Sequence, residues 1–178
     1  KAIFTDEKFA DRLEASGYAL SSANSINWGR LVPQIVYYIS AYCDMIESGE
    51  IELGEKINVC VPTGNFGNIL AAYYAKKMGL PVNKLICASN KNKVLTEFFE
   101  TGVYNANREF FKTQSPSMDI LISSNLERLL YHLSGEDDAQ IREWFGALAT
   151  DGKYEVTDEV KAMLRDEFYA GCCGDAQT

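Results

Sequence analysis

The sequence predicts an α/β fold, with helices layered around a small, mostly parallel sheet. Three observations carry this prediction. The β-branched, apolar run at residues 57–61 reads as a buried strand. It passes through Pro62-Thr63-Gly64-Asn65-Phe66-Gly67-Asn68 into a helical stretch at 69–78 and then a second apolar run at 85–88. Such a strand–turn–helix–strand unit favours parallel pairing through a crossover. Helical periodicity then recurs through most of the remaining chain.

The elements follow in order. Residues 4–15 read as a short helix capped by Asp6, with Phe9 and Leu13 on one face and Gly17 as its stop. The polar run Ser21-Ser22-Ala23-Asn24-Ser25-Ile26-Asn27 is a loop ending in a cap, because these side chains bond to nearby backbone. A helix over 28–47 places Leu31, Ile35, Ile39, Tyr42 and Ile46 on one apolar face, tolerates Pro33 near its start and ends at Gly49. The helix over 69–78 closes with Lys76 and Lys77, then Gly79 and Pro81, which is favourable C-terminal punctuation. A helix over 93–100 ends at Gly102, and 104–116 reads as an aromatic loop. Residues 118–122 are the third strand candidate and lead into the turn Ser123-Ser124-Asn125. The next helix carries Leu126, Leu129, Leu130 and Leu133. Helices over 137–149 and 157–169 follow, capped by Asp137 and Thr157. No repeat, low-complexity tract or linker divides the chain, so residues 1–178 form one unit.

Bulk properties narrow the partners. The chain has 178 residues, 47% hydrophobic and 24% charged, enough for one domain with a core. A net charge of −8 repels polyanions and argues against nucleic acid or an anionic membrane. A bound phosphate must therefore be held by local donors. No apolar run reaches the ~18–20 residues of a membrane helix. The 5 cysteines show no disulfide-framework spacing. Cys43, Cys60 and Cys87 sit in apolar segments and read as small core residues, which points to a reducing cytosol. With His132 as the single histidine and no CxxC, no metal site is expected. Neither end reads as a natural terminus: Lys1-Ala2-Ile3-Phe4 lacks a methionine, and Gly171-Cys172-Cys173-Gly174 is a turn leading nowhere.

The chemistry concentrates at Thr63-Gly64-Asn65-Phe66-Gly67-Asn68. The first N–H groups of a helix have no partner within it, and the dipole there is positive. Glycines allow consecutive N–H groups to converge on an anion. The segment lacks the lysine of a P-loop and the third glycine of a dinucleotide turn. The pattern alone leaves two readings open, an anion cradle and a tight turn that uses glycine for shape.

Three motifs in this order resemble threonine synthase: Ser22-Ala23-Asn24-Ser25-Ile26-Asn27 with Arg30, then Pro62-Thr63-Gly64-Asn65-Phe66-Gly67-Asn68 before an Ala-rich helix and Gly79-Leu80-Pro81, then Met118-Asp119-Ile120-Leu121 running into Ser123-Ser124-Asn125-Leu126-Glu127-Arg128. The likeness spans most of the chain and is to the longer, fungal- and enterobacterial-like branch. That family belongs to the tryptophan-synthase-β-like, fold-type II group of pyridoxal-phosphate enzymes and converts O-phospho-L-homoserine and water to L-threonine and phosphate. The resemblance makes this chain an internal fragment of the cofactor-binding region, truncated at both ends and partnered by the rest of its own polypeptide.

It also implies residue roles. Gly64, Asn65, Phe66, Gly67 and Asn68 match the loop around the cofactor phosphate, although the Phe66 ring also fits core packing. Asn24, Ser25, Asn27 and Arg30 are candidates for the substrate, where an arginine suits a bidentate grip on phosphate. Ser124, Asn125 and Arg128 could hold phosphate or orient the cofactor; the bland alternative is a helix cap with a solvated arginine. The family's Schiff-base lysine lies in a Phe-Lys-Asp context upstream, and Phe111-Lys112-Thr113 is misplaced for it, so no catalytic residue is assigned. The fragment alone is expected to be inactive and to self-associate through faces left bare by truncation, with residues 31–46 the foremost of them. A phospholyase that stops at elimination and a non-catalytic phosphate- or nucleotide-binding module are the alternatives.

Overall fold

Two of the predicted strands lie side by side and parallel in the computed structural model, which describes residue 3 and residues 6–174. In chain order the elements are α1 (Glu7–Ala15), α2 (Trp28–Glu47), β1 (Ile57–Pro62), α3 (Gly67–Lys77), β2 (Val82–Ser89), α4 (Val94–Thr101) and β3 (Val103–Asn105). They continue with α5 (Leu126–Leu133), α6 (Asp138–Asp151), β4 (Lys153–Glu155), α7 (Asp158–Glu167) and β5 (Phe168–Cys172). The main sheet has the order β1-β2-β5, all parallel, with Val59 opposite Leu85 and Leu85 opposite Phe168. This is the small parallel sheet with surrounding helices that the sequence predicts.

The helix starts obey local chemistry. Asp6, Asn27, Asp137 and Thr157 each accept a hydrogen bond from a backbone N–H of the first turn that follows. Phe4, read as the start of the first helix, lies outside the described residues. On α2, Leu31 and Tyr42 are buried, and this helix packs on α3. The core runs from α3 through β2 to α4 and α5. Phe66, Phe99 and Phe168 form an aromatic cluster with ring centroids 5.1–6.1 Å apart.

Several expectations are corrected. Residues 118–122 are not a strand: Pro116–Met118 is a 3-10 turn and the chain then bends. The Asp119 side chain decides this. Its Oδ1 accepts from Asn90 Nδ2 at 2.8 Å, Asn92 Nδ2 at 3.0 Å and Thr113 Oγ1 at 2.8 Å, and its Oδ2 accepts from the Thr113 N–H at 2.9 Å. A carboxylate so engaged draws its segment out of any sheet. The third strand is β5, within a stretch read partly as helix and partly as a blind turn. Phe168 is buried, and bonding to β2 overrides the helical pattern there. A second, antiparallel pair, β3 with β4, lies where a loop was expected. Tyr104 stacks on Tyr154 across it, with centroids 5.3 Å apart. Of the cysteines read as core, Cys87 is buried but Cys43 and Cys60 are exposed, because each projects from the outer side of its element.

Candidate phosphate-binding site

The turn between β1 and α3 is tightly determined. Phe66 has φ +67°, an uncommon left-handed conformation for a residue with a side chain. Burial of its ring in the aromatic cluster compensates for that cost. The left-handed step reverses the chain so that helix α3 starts at once. A Cβ on Gly64 would sit 2.5 Å from the Ser117 carbonyl oxygen, and one on Gly67 would sit 3.3 Å from Asn125 Nδ2. Gly64 has no room for a side chain, and at Gly67 one would fit only if the Asn125 amide gave way by a few tenths of an ångström.

Among the described residues, the backbone N–H groups of Gly64, Asn65, Phe66, Gly67 and Asn68 donate to no other protein group. Thr63, just before them, is tied off: its N–H donates to the Ala88 carbonyl at 2.9 Å and its hydroxyl to the Val61 carbonyl at 2.7 Å. A run of unpaired amides at a helix start is a concavity suited to a dianion. It borders a cleft of about 390 Å³ lined by Gly64, Asn65, Gly67 and Asn68, by Ser25 from the loop before α2, by Arg30 and Gln34 from its first turns, and by Ser115 and Ser117 opposite.

The structure thus brings Ser25 and Arg30 to the glycine turn. Arg30 is exposed, with one guanidinium nitrogen donating to the Ala23 carbonyl at 3.0 Å. The other candidates are placed elsewhere. Asn24 accepts from the Ile26 N–H at 3.2 Å, and Asn27 caps α2. Their side chains hold the loop together and do not line the cleft. Ser124 and Arg128 line a different, larger hollow of about 630 Å³ beside Trp28, Tyr74 and His132. Arg128 is committed to the Asn125 side chain and, at 2.7 Å, to the Ile26 carbonyl. Among the described residues, no run of free amides lines that hollow, so the smaller cleft is the better anion site. Asn125 is fully buried beneath the turn and is spent on protein partners. The Asn68 side chain donates to the Pro62 carbonyl at 2.8 Å, leaving its backbone N–H as the free donor. The Phe66 ring is core, and only its amide faces the question of a ligand. Sequence reasoning missed Gln34, Ser115 and Ser117; the Ser-Pro-Ser cluster beside the third motif was the available signal.

Two phenols support the site. The Tyr38 hydroxyl donates to the Asn68 carbonyl at 2.8 Å, and the Tyr104 hydroxyl donates to the Leu121 carbonyl at 3.0 Å while accepting the Ser123 N–H at 2.8 Å. Burial pushes both up from 10.0 to about 12. A raised folded value means that this contribution to stability is complete below pH 10 and is lost as pH rises toward 12. Unfolding free energy is therefore expected to fall across that window, more steeply than in Tyr38→Phe, as urea titrations at stepped pH would read. Equal slopes in the two proteins would show that Tyr38 takes no part.

No helix among the described residues is long and apolar enough to cross a membrane. Among the same residues, no group of three or more His, Cys, Asp and Glu is placed to hold a metal ion.

Comparison with known proteins places the chain. No protein-family model matches it. It is 48% identical over 179 residues to human threonine synthase-like 1, covering 99% of this chain and 24% of that protein. It is 40% identical over 169 residues to threonine synthase of Saccharomyces cerevisiae, covering 90% of this chain and 31% of that protein. Among solved structures, a pyridoxal-phosphate-bound threonine synthase from Brucella melitensis superposes with a TM-score of 0.87 at 41% identity, over 97% of this chain and 35% of that one. The chain therefore spans between about a quarter and a third of the length of the proteins it matches. By sequence and by fold it is a homologue of the threonine synthases and threonine synthase-like proteins, equivalent to one stretch of those longer chains.

Proposed function

We propose that this chain supplies the phosphate cradle for pyridoxal 5'-phosphate within a longer, cytoplasmic threonine synthase that converts O-phospho-L-homoserine and water to L-threonine and phosphate. The run of free N–H groups at residues 64–68, opening on a cleft, carries this reading. The residues present fit the group. Gly64 and Gly67 let the backbone approach a phosphate closely, and the amides of Asn65, Phe66 and Asn68 complete the donor set. Neutral donors suit a cofactor phosphate that stays bound. Ser25 and Arg30, across the cleft, suit the substrate's own phosphate, with Arg30 supplying the local positive charge that a net −8 protein lacks globally. When bound, the cofactor provides an electron sink for chemistry at the amino-acid substrate. The chain's own residues bind and orient; among the described residues, no lysine lines the cleft to anchor the cofactor covalently.

Two measurements test this. Pyridoxal phosphate should raise the melting temperature of the protein more than nucleotides do, and the isolated chain given cofactor and O-phospho-L-homoserine should release no phosphate. Stabilisation by nucleotides alone would favour a nucleotide-binding module, and turnover by the isolated chain would overturn the assignment of catalysis to the longer protein. Exposed Trp28, Val32, Val36 and Tyr37 on α2 suit cover by the rest of the polypeptide, so the isolated chain is expected to self-associate in sedimentation runs. A second reading is a phospholyase that stops at elimination. Product analysis of the full-length enzyme separates threonine from an elimination product.

A further inference from the structure

The carbonyl side of the 64–68 turn is as firmly held as its N–H side is open. The Gly64 carbonyl accepts from Ser123 Oγ at 2.8 Å. The Asn65 carbonyl accepts twice from Asn125, from its backbone N–H at 3.0 Å and from Nδ2 at 2.9 Å. All peptides here are trans, so each carbonyl points opposite to the N–H of the next residue in the same rigid plane. Fixing the Gly64 carbonyl therefore aims the Asn65 N–H, and fixing the Asn65 carbonyl aims the Phe66 N–H.

Both tethers come from the segment just before α5, and that segment is itself anchored. Ser123 is 2% exposed and Asn125 is 0% exposed. The Ser123 N–H donates to the buried Tyr104 hydroxyl. Asn125 Nδ2 also donates to the Ser25 carbonyl at 3.0 Å, and its Oδ1 accepts from Arg128. Neither Ser123 nor Asn125 lines the cleft.

We propose that Ser123 and Asn125 are positioning residues that hold the turn from behind without touching the ligand, Ser123 aiming the Asn65 amide at a bound phosphate and Asn125 fixing the peptide that follows it. This rests on the reading of residues 64–68 as the cofactor-phosphate site. It differs from direct contact of Asn125 with a phosphate, and it assigns Ser123 a role that the motif alone did not. The two side chains set the direction of donors that would otherwise rotate with the turn, so they act on affinity for the phosphate group in particular.

The test compares pyridoxal 5'-phosphate with pyridoxal, which lacks the phosphate, by titrating the cofactor-free full-length protein that contains this segment. The wild type is expected to prefer the phosphorylated ligand strongly. Ser123→Ala is expected to weaken pyridoxal phosphate binding about tenfold, the scale of one well-placed hydrogen bond, while pyridoxal binding stays unchanged. Ser123→Cys, similar in size but a weaker donor, should fall between. If Ser123→Ala keeps the wild-type preference, or weakens both ligands equally, the positioning role is wrong and the phosphate site stands. If the wild type itself shows no preference, the phosphate site is wrong and the positioning role falls with it.

Discussion

Gly64→Ala is expected to lower affinity for pyridoxal phosphate at least a hundredfold in the full-length protein and to destabilise the fold by roughly 1–3 kcal/mol, the usual scale of overpacking. The new methyl would stand 2.5 Å from the Ser117 carbonyl oxygen and 3.3 Å from Met118 Cα. Both are backbone atoms, so no side-chain rotation relieves the clash. The opposing 3-10 turn cannot easily retreat, because Asp119 ties its exit to Asn90, Asn92 and Thr113. The glycine turn must therefore move instead, and the amides lose their common focus. Gly146 provides the control. It is an exposed helix residue whose added Cβ would meet nothing within 4 Å, so Gly146→Ala should stabilise by about 0.5–1 kcal/mol and leave binding untouched. Cofactor titration and urea unfolding of the two variants give the comparison; a Gly64→Ala protein that binds normally would mean that close approach at residue 64 is dispensable.

Asn125→Leu carries the largest expected loss of stability, about 3 kcal/mol or more. The substitution keeps the branched shape and heavy-atom count, adds the bulk of two methyl groups and removes every polar function at a fully buried position. The Ser25 carbonyl loses its Nδ2 partner, the Asn65 carbonyl loses one of two donors, and an Arg128 guanidinium nitrogen loses its acceptor. Each lost partner costs desolvation in proportion to the burial of the group that is left. The damage also spreads across sequence, since one amide joins the loop before α2, the glycine turn and the start of α5. Urea unfolding measures it, and a loss below about 1 kcal/mol would mean that water or rearrangement meets those groups.

Depressed ionisation of Asp119 belongs to the same strap. The Thr113 N–H, with the side-chain donors of Thr113, Asn90 and Asn92, holds its carboxyl below the usual range. The contacts that keep the Ser115–Ser117 wall over Gly64 are thus complete at neutral pH and loosen only in acid.

Much of the site was legible from local chemistry. β-branched residues, a Gly-x-x-Gly turn and a helix punctuated by Lys76, Lys77 and Gly79 specify one strand–turn–helix unit, because each choice depends on neighbours only a few residues away. The caps at Asp6, Asn27, Asp137 and Thr157 were readable for the same reason. The free amides were also implied, since any helix start leaves its first N–H groups without intrahelical partners.

Long-range packing settled the rest. Residues 168–172 became a strand because β2 offered an open edge, which no short window of sequence can display. Residues 118–122, apolar enough for a strand, were diverted by donors to Asp119 from residues 90 and 92. Asn125 looked like a cap or a ligand contact, and its burial under the glycine turn follows from partners 60 and 100 residues away. A hydrogen bond of that reach forms only once the chain has closed the loop between its ends, so its meaning is written in the packed molecule.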